Sequence, residues 1–196
     1  MNDTLNSIYE RRAVRKYKDI PVAKEVIEQL IAAGRMAPSA MNNQPWKFYI
    51  VTDKEKIELF SKEISEIAIK QIKHVRIKDL LKMTLSHFHF SKVIDLIKTQ
   101  DHIFYNAPVV IFITAPRKDD WGKLSVGMCA QNILLAAKAM GLDTCPVGFA
   151  KFVMQTKDYY LLNIPAAEEV EFALVIGFGD ELPREPKRLE DNVFYI

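Results

Sequence analysis

The feature that most constrains the fold of this chain is an unbroken apolar, β-rich run from Pro108 to Thr114. A run without polar alternation predicts a strand that is buried on both faces of its sheet. The surrounding apolar stretch, Ala107 to Ala115, is too short to cross a bilayer as a helix. The chain therefore has to cover both sides of this strand with other elements.

Helical and extended patterns alternate along the rest of the chain. Apolar spacing predicts two helices before residue 38 and a third after a strand at Lys47 to Thr52. The spacing is carried by Leu5, Ile8 and Tyr9, by Ile27, Leu30, Ile31 and Gly34, and by Ile57, Phe60, Ile64 and Ile67. Thr52-x-x-Glu55 predicts a capping box for the third helix. An apolar helix from Val126 to Met140, closed by Gly141, and a β-rich run from Val170 to Ile176 complete an α+β pattern.

Length and composition predict one domain over residues 1–196, because no linker or repeat interrupts a chain that is 49% hydrophobic. The formal charge of +2 is too balanced to favour nucleic acid as the partner. Cys129 and Cys145 lack the spacing of a redox or metal pair, which favours a reducing compartment. The polar N-terminus does not resemble a signal peptide. We expect a cytoplasmic protein without a membrane segment.

Several common sites are not expected. The sequence has no phosphate-binding P-loop, no complete G-x-G-x-x-G after a strand and no H-E-x-x-H, and Gly177-Phe178-Gly179 is only a fragment of the dinucleotide pattern. His87 and His89 have no third ligand nearby, so solvated or packed histidines are favoured over a metal site. Neither cysteine lies in a nucleophile motif, and no G-x-S-x-G is present.

Two stretches carry chemistry. Within the segment Arg11 to Tyr17, Arg11 and Arg15 are at i, i+4, and Arg12 and Arg15 are at i, i+3. The three arginines therefore share one cationic face suited to a phosphate if the opening helix persists. A solvated basic face is the alternative. The loop Ala37 to Trp46 packs polar side chains between two prolines, which suits a polar planar ligand or ordinary turn chemistry. Its polar residues are Ser39, Asn42, Asn43 and Gln44.

Together with three further stretches, these segments resemble the nitroreductase family of FMN enzymes. The others are Tyr105 to Ile111, Ala130 to Ala137 leading to Gly141-Leu142, and Val175 to Gly179 followed by Pro183 and Lys187-Arg188-Leu189. The five motifs occur in the family's order and cover nearly the whole chain except about residues 61–104. Chance does not explain such an arrangement well.

The resemblance implies an α+β fold with a mixed, mainly antiparallel sheet flanked by helices, and a homodimer with two FMN sites at its interface. Arg11, Arg12 and Arg15 would contact the FMN phosphate and the pyrimidine side of the ring. Ala13 is implied as a further cofactor-binding residue, and Val147 or Gly148 would offer a backbone amide to flavin N5. The polar contacts of the partner subunit would come from Ser39, Asn42 and Gln44. Arg188, with Lys187, would complete the phosphate clamp.

The activity implied is hydride transfer from NADH or NADPH, through flavin N5, to a small electron-poor acceptor such as a nitroaromatic or a quinone. No catalytic side chain and no metal are implied. Many bacterial members carry an acidic residue just before the Gly-Phe, where this chain has Pro146-Val147. The alternatives are other flavin chemistry of the superfamily (dehalogenation, flavin fragmentation or heterocycle oxidation) and a non-enzymatic flavin-binding protein.

Residues 68–104 are expected to border the face where nicotinamide and acceptor alternate. This segment is locally basic, so it could steer the pyrophosphate of NAD(P)H, while Phe88, His89 and Phe90 offer rings to an aromatic acceptor. A solvated helical face is the alternative. The cations are Lys70, Lys73, Arg76, Lys78, Lys82, Lys92 and Lys98, against Asp79 and Asp95.

Overall fold

The fold is built on a four-stranded antiparallel sheet, seen in a computed structural model that describes residues 2–74 and 103–196. The strand order is β1-β2-β4-β3. The strands are β1 (Lys47–Val51), β2 (Val109–Pro116), β3 (Asp143–Val147) and β4 (Glu168–Gly177). The α-helices of the described ranges are α1 (Asp3–Glu10), α2 (Lys24–Arg35), α3 (Lys54–His74) and α4 (Asp120–Ala139). The predicted α+β class and mainly antiparallel sheet are confirmed.

The strand predicted to be buried on both faces is β2, at the centre of the sheet. Its residue Phe112 pairs with Tyr49 of β1 on one side and with Ala173 of β4 on the other. Every residue from Val109 to Ala115 is buried. Alternate side chains of β2 enter two separate apolar cores, one on each face of the sheet.

One face of the sheet is covered by α3 and by two 3-10 helices, Gly148–Gln155 and Tyr159–Leu162. Phe112 meets Phe60 of α3 edge to face, with ring centroids 6.0 Å apart, and it meets Phe104 in the same way at 5.7 Å. Such aromatic pairs add to the free energy gained by burying the rings. The predicted inner face of α3 is confirmed at Ile57, Phe60 and Ile64, all of which are buried.

The opposite face is covered by α2 and α4. The predicted inner positions of α2 are all buried: Ile27, Leu30, Ile31 and Gly34. At Gly34 the two helices approach so closely that a Cβ atom would lie 2.7 Å from Cγ1 of Ile133. The missing side chain of Gly34 therefore sets the contact distance between α2 and α4.

Helix α4 is longer than the sequence pattern predicted at its start. It begins at Asp120 and not at Val126, because the Asp119 carboxylate caps it by accepting the Gly122 N–H at 2.8 Å. Its predicted closure is confirmed. Gly141 has a left-handed φ of +75°, and the following N–H of Leu142 donates to the Ala137 carbonyl at 2.9 Å.

One local prediction is wrong, and one strand was missed. The capping box at Thr52 is displaced by one residue: α3 begins at Lys54, and Asp53 accepts the Lys56 N–H at 3.1 Å. An acid at the first turn also interacts favourably with the helix dipole. Strand β3 was not predicted, because its sequence Asp-Thr-Cys-Pro-Val has a weak strand pattern interrupted by Pro146.

The predictions for residues 75–102 lie outside the described residues. They include the two histidines, the neighbouring rings and the basic rim apart from Lys70 and Lys73: His87, Phe88, His89, Phe90, Arg76, Lys78, Lys82, Lys92 and Lys98. Across residues 2–74 and 103–196, no helix combines the length and the apolar character needed to cross a membrane.

Candidate functional site

The first part of the candidate site is the extended segment that follows α1. Helix α1 ends at Glu10 with Arg11 as its C-cap, so the opening helix does not persist and the helical cationic face that depended on it does not form. The chain instead runs along the outer edge of β3, where Ala13 forms a parallel bridge to Thr144. Burial of Val14 in the core holds this extended path.

The C-terminal tail is attached to the same segment. Lys18 N–H donates to the Phe178 carbonyl at 2.9 Å, and Asp180 N–H donates to the Lys16 carbonyl at 2.9 Å. Gly179, between them, has no room for a Cβ atom, because Asp143 and Val14 occupy that space. These contacts bring the tail, which includes the predicted clamp residues Lys187 and Arg188, to the arginine segment at the other end of the chain.

The two chain ends combine in a cluster of guanidinium groups. Burial lowers the pKa of Arg11, and the positive charges of Arg12 and Arg188 lower it further. A guanidinium whose charge is disfavoured by burial and by neighbouring cations would be stabilised by a bound anion. Lys187 and Arg188 are both exposed, and Arg188 acts on Arg11 as a like charge.

Arg12 and Arg15 already have partners within the chain. Nη1 of Arg12 donates to the Tyr9 carbonyl and, at 2.9 Å, to the Arg11 carbonyl. Its Nη2 lies 3.1 Å from Oε1 of Glu185. Nη1 of Arg15 donates to the Ala13 carbonyl at 3.3 Å.

The pKa of Arg15 is raised. Burial alone would lower this pKa, but the groups of Cys145, Tyr105 and Glu181 outweigh that effect. Tyr105 contributes a side-chain hydrogen bond as well as an electrostatic interaction. The cation of Arg15 is thus held beside β3 by neighbouring groups.

Beyond the arginines, the end of β3 presents open backbone. Val147 is the last residue of β3 and is buried, whereas Gly148 is exposed and would have nothing within 4 Å of an added Cβ atom. A flat ligand can therefore approach the main chain at Gly148 without meeting a side chain of this residue.

The polar loop before β1 is folded tightly on itself. Ser39 Oγ accepts the Gln44 N–H at 3.0 Å, and Nε2 of Gln44 donates to Oδ1 of Asn42 at 3.3 Å. Met41, Asn42 and Gln44 all have left-handed φ values, of 52°, 55° and 44°. Non-glycine residues rarely adopt such values, and they cluster at functional sites.

The loop and the arginine cluster lie at opposite corners of the sheet. Ala13 pairs with Thr144 on β3, and strand pairing across the sheet connects this position to Val109 on β2. Lys47, just after the loop, lies on β1 and pairs with Thr114 of β2. The corners are thus three strands apart across the sheet and five residues apart along it. With ordinary strand spacing and rise, this places them about 20 Å apart in one chain.

The fold and these motifs have clear counterparts. The model of the nitroreductase family matches residues 8–179. This chain belongs to the nitroreductase family. The predicted resemblance is confirmed.

Three relatives illustrate the range of the family. A putative NADH dehydrogenase/NAD(P)H nitroreductase of Archaeoglobus fulgidus is 42% identical, over 95% of this chain and 89% of its own. An iodotyrosine deiodinase of Thermotoga neapolitana is 28% identical, over 91% and 90%. Among solved structures, a nitroreductase with bound FMN from Bacteroides fragilis aligns over all of both chains with a TM-score of 0.78 at 20% identity.

The sequence did not single out several residues that border the arginine cluster. Tyr105 and Cys145 interact with Arg15, and Glu181 and Glu185 reach the arginine segment from the tail. The two glutamates had no distinct signal, because acids and cations are mixed between Asp180 and Arg188 without a spacing that pairs them with the arginine segment. Cys145 had none, since it lies on the strand that was not predicted.

Proposed function

We propose that this protein is an FMN-dependent oxidoreductase that passes hydride from NADH or NADPH to a small electron-poor acceptor. The observation that carries the proposal is that the C-terminal tail, which holds Arg188, is hydrogen-bonded to the arginine segment at the other end of a nitroreductase-family chain. Guanidinium groups gathered from both chain ends suit a phosphate dianion, which several such groups bind best.

The remaining residues fit a flavin placed along the edge of β3. Arg15 would lie at the N1 and O2 edge, where a cation stabilises the negative charge of reduced flavin, and the backbone of the buried Val147 or of the exposed Gly148 would face N5. Bound FMN would supply the hydride chemistry. The chain would bind and orient the cofactor and keep a positive charge near its ring, with no side chain required as an acid or base.

We further propose that the site is completed by a second copy of the chain. Ser39, Asn42 and Gln44 lie about 20 Å from the arginine corner in one chain, too far for both groups to contact the same end of a flavin. Helix α4 exposes large apolar side chains suited to an interface: Trp121 is 68% exposed, Leu124 52% and Met128 39%. A homodimer that buries this face would bring one copy's loop to the partner's arginines.

The test is to purify the protein, record its absorption spectrum and follow oxidation of NADH and NADPH with a nitroaromatic and a quinone, with and without oxygen. We expect about one FMN per chain and turnover that depends on the acceptor. A chain that never binds flavin, even in excess FMN, would refute the cofactor. Bound flavin without any turnover would identify a flavin-binding protein that is not an enzyme.

Reductive dehalogenation is the second candidate, because the deiodinase matches nearly the full length of this chain. An iodinated phenol added to the same panel distinguishes the two activities. Iodide release at a rate that exceeds nitroaromatic reduction would favour the second candidate.

A further inference from the structure

The acidic residues of the C-terminal tail occupy the cationic segment to which the phosphate is assigned. Glu185 pairs with Arg12 at 3.1 Å, a Glu181 carboxylate oxygen accepts the Arg15 N–H, and Asp180 pairs with Lys16. The same tail supplies Arg188 to the arginine cluster. One short segment thus brings both a cation and competing anions to the site.

The hydrogen-bond donors of Arg12 are largely used within the chain. A guanidinium has five N–H groups, and both of those on Nη1 are directed at the carbonyls of Tyr9 and Arg11. Nη2, which is the remaining terminal nitrogen, is held by Glu185. While Glu185 stays in place, a phosphate that approaches Arg12 through Nη2 therefore meets a nitrogen already paired with a carboxylate, which weakens any two-pronged contact with this guanidinium.

Arg11 and Arg188 differ from Arg12 in this respect. Within residues 2–74 and 103–196, their guanidinium groups have no hydrogen bond or ion pair to the chain, and each acts on the other as a like charge. The Arg12 side chain is only 18% exposed, whereas that of Glu185 is 77% exposed. Glu185 can therefore leave the pair for water, whereas Arg12 is held at the site.

We propose that Glu185 is the resident counter-ion of the phosphate site and competes with the phosphate of FMN for Arg12. Its carboxylate neutralises part of the cluster before the cofactor binds, and the phosphate has to displace or tolerate it. Glu185 thereby limits how strongly the site prefers FMN to riboflavin, which has no phosphate. This inference rests on the proposed flavin site.

The experiment compares the flavin-free wild type with Glu185→Gln and with Glu190→Gln, a tail variant that removes the same charge from an exposed residue. Each protein is titrated with FMN and with riboflavin by quenching of flavin fluorescence. We expect Glu185→Gln to tighten FMN about 3- to 10-fold, because an exposed ion pair and a like charge near the dianion are removed together. Its riboflavin affinity and both affinities of Glu190→Gln should match wild type.

Three results would overturn the inference. Unchanged or weaker FMN binding by Glu185→Gln would mean that the carboxylate does not compete or that it orients Arg12 usefully. If Glu185→Gln and Glu190→Gln tightened FMN binding equally, the effect would come from net charge alone. If Glu185→Gln tightened riboflavin binding as much as FMN binding, the effect would not involve the phosphate. Failure of the wild type to bind either flavin would refute the proposed function and this inference with it, and is recognised before any variant is compared.

Discussion

At the scale of single residues, Glu168 shows how this chain accommodates a buried carboxylate. Its side chain is only 7% exposed and receives hydrogen bonds from three neighbours: Lys47, Tyr49 at 2.9 Å and Thr114 at 2.7 Å. Burial alone would raise the pKa of Glu168, but these hydrogen bonds outweigh burial and lower it. The carboxylate thus ties β1, β2 and β4 together at one end of the sheet.

We expect Glu168→Gln to lower the free energy of unfolding at pH 7 by about 1–3 kcal/mol, because the amide cannot replace a charged acceptor of three donors. Urea denaturation at pH 7 measures this difference. Glu66→Gln, on the exposed side of α3, is the matched control and should stay close to wild type. A stable Glu168→Gln protein would show that the three donors find other acceptors.

The same carboxylate predicts a pH dependence. A pKa that is lower in the folded state contributes stability above the unfolded value of about 4.3, and this stability is lost as the pH falls through the folded pKa. The difference between wild type and Glu168→Gln should therefore shrink as unfolding is measured at decreasing pH below about 4.3. A constant difference at all these pH values would contradict the assignment.

Arg188 is the residue on which the phosphate assignment can be tested most directly. We expect Arg188→Ala to weaken FMN by about 1.5–3 kcal/mol, the range for a hydrogen bond to a charged group, and to leave riboflavin binding nearly unchanged. Arg184→Ala, which removes an exposed cation from the same tail, is the control. Equal losses in both variants would place the phosphate elsewhere.

At the scale of elements, the contact between α2 and α4 depends on a missing side chain. Gly34→Ala should favour the helix by about 1 kcal/mol, yet the new Cβ atom would press on Ile133 and on Cys129. Because overpacking of a dense core costs about 1–3 kcal/mol, we expect a net loss of stability. In a double-mutant cycle, Gly34→Ala with Ile133→Ala should lose less than the sum of the single variants, and simple additivity would contradict the contact.

The elements that the sequence predicted correctly are those whose own pattern decides their structure. Helix α2 and strand β2 carry unbroken apolar periods, and Gly141 closes α4 as its conformational freedom suggests. The missed parts depend on distant partners. Strand β3 exists because β4 pairs with it, and the segment after Arg11 is extended because it pairs with Thr144, whose place in the fold no local pattern reveals.

For the candidate site, the sequence predicted the residue types but could not place them. The arginines and Arg188 were expected together from the resemblance, and the lowered pKa of Arg11 is consistent with their proximity. The acids that pair with this segment, Glu181 and Glu185, were not anticipated. Charge partners across the whole length of a chain depend on tertiary structure, and a local sequence pattern does not contain them.

At the scale of the whole molecule, the proposed site is divided between two corners of the sheet. Helix α1 packs against α4 and also exposes large apolar side chains, namely Leu5, Ile8 and Tyr9. Several exposed apolar side chains on two packed helices are suited to an interface. Cofactor binding and dimer formation should therefore fail together when this surface is disrupted.

We expect the double variant Leu124→Glu with Met128→Glu to be monomeric by light scattering at micromolar concentration and to bind FMN at least about 10-fold more weakly. Two carboxylates placed in an apolar interface lose solvation without gaining partners, which costs several kcal/mol. The control is Ile20→Glu, because Ile20 is also apolar and exposed. Its neighbour Asp19 pairs with Lys54 of α3, so this position lies near the helix on the other face of the sheet. A double variant that stays dimeric would exclude the α4 face as the interface. A monomer with wild-type affinity for FMN would show instead that the loop of Ser39, Asn42 and Gln44 does not reach the cofactor from a partner.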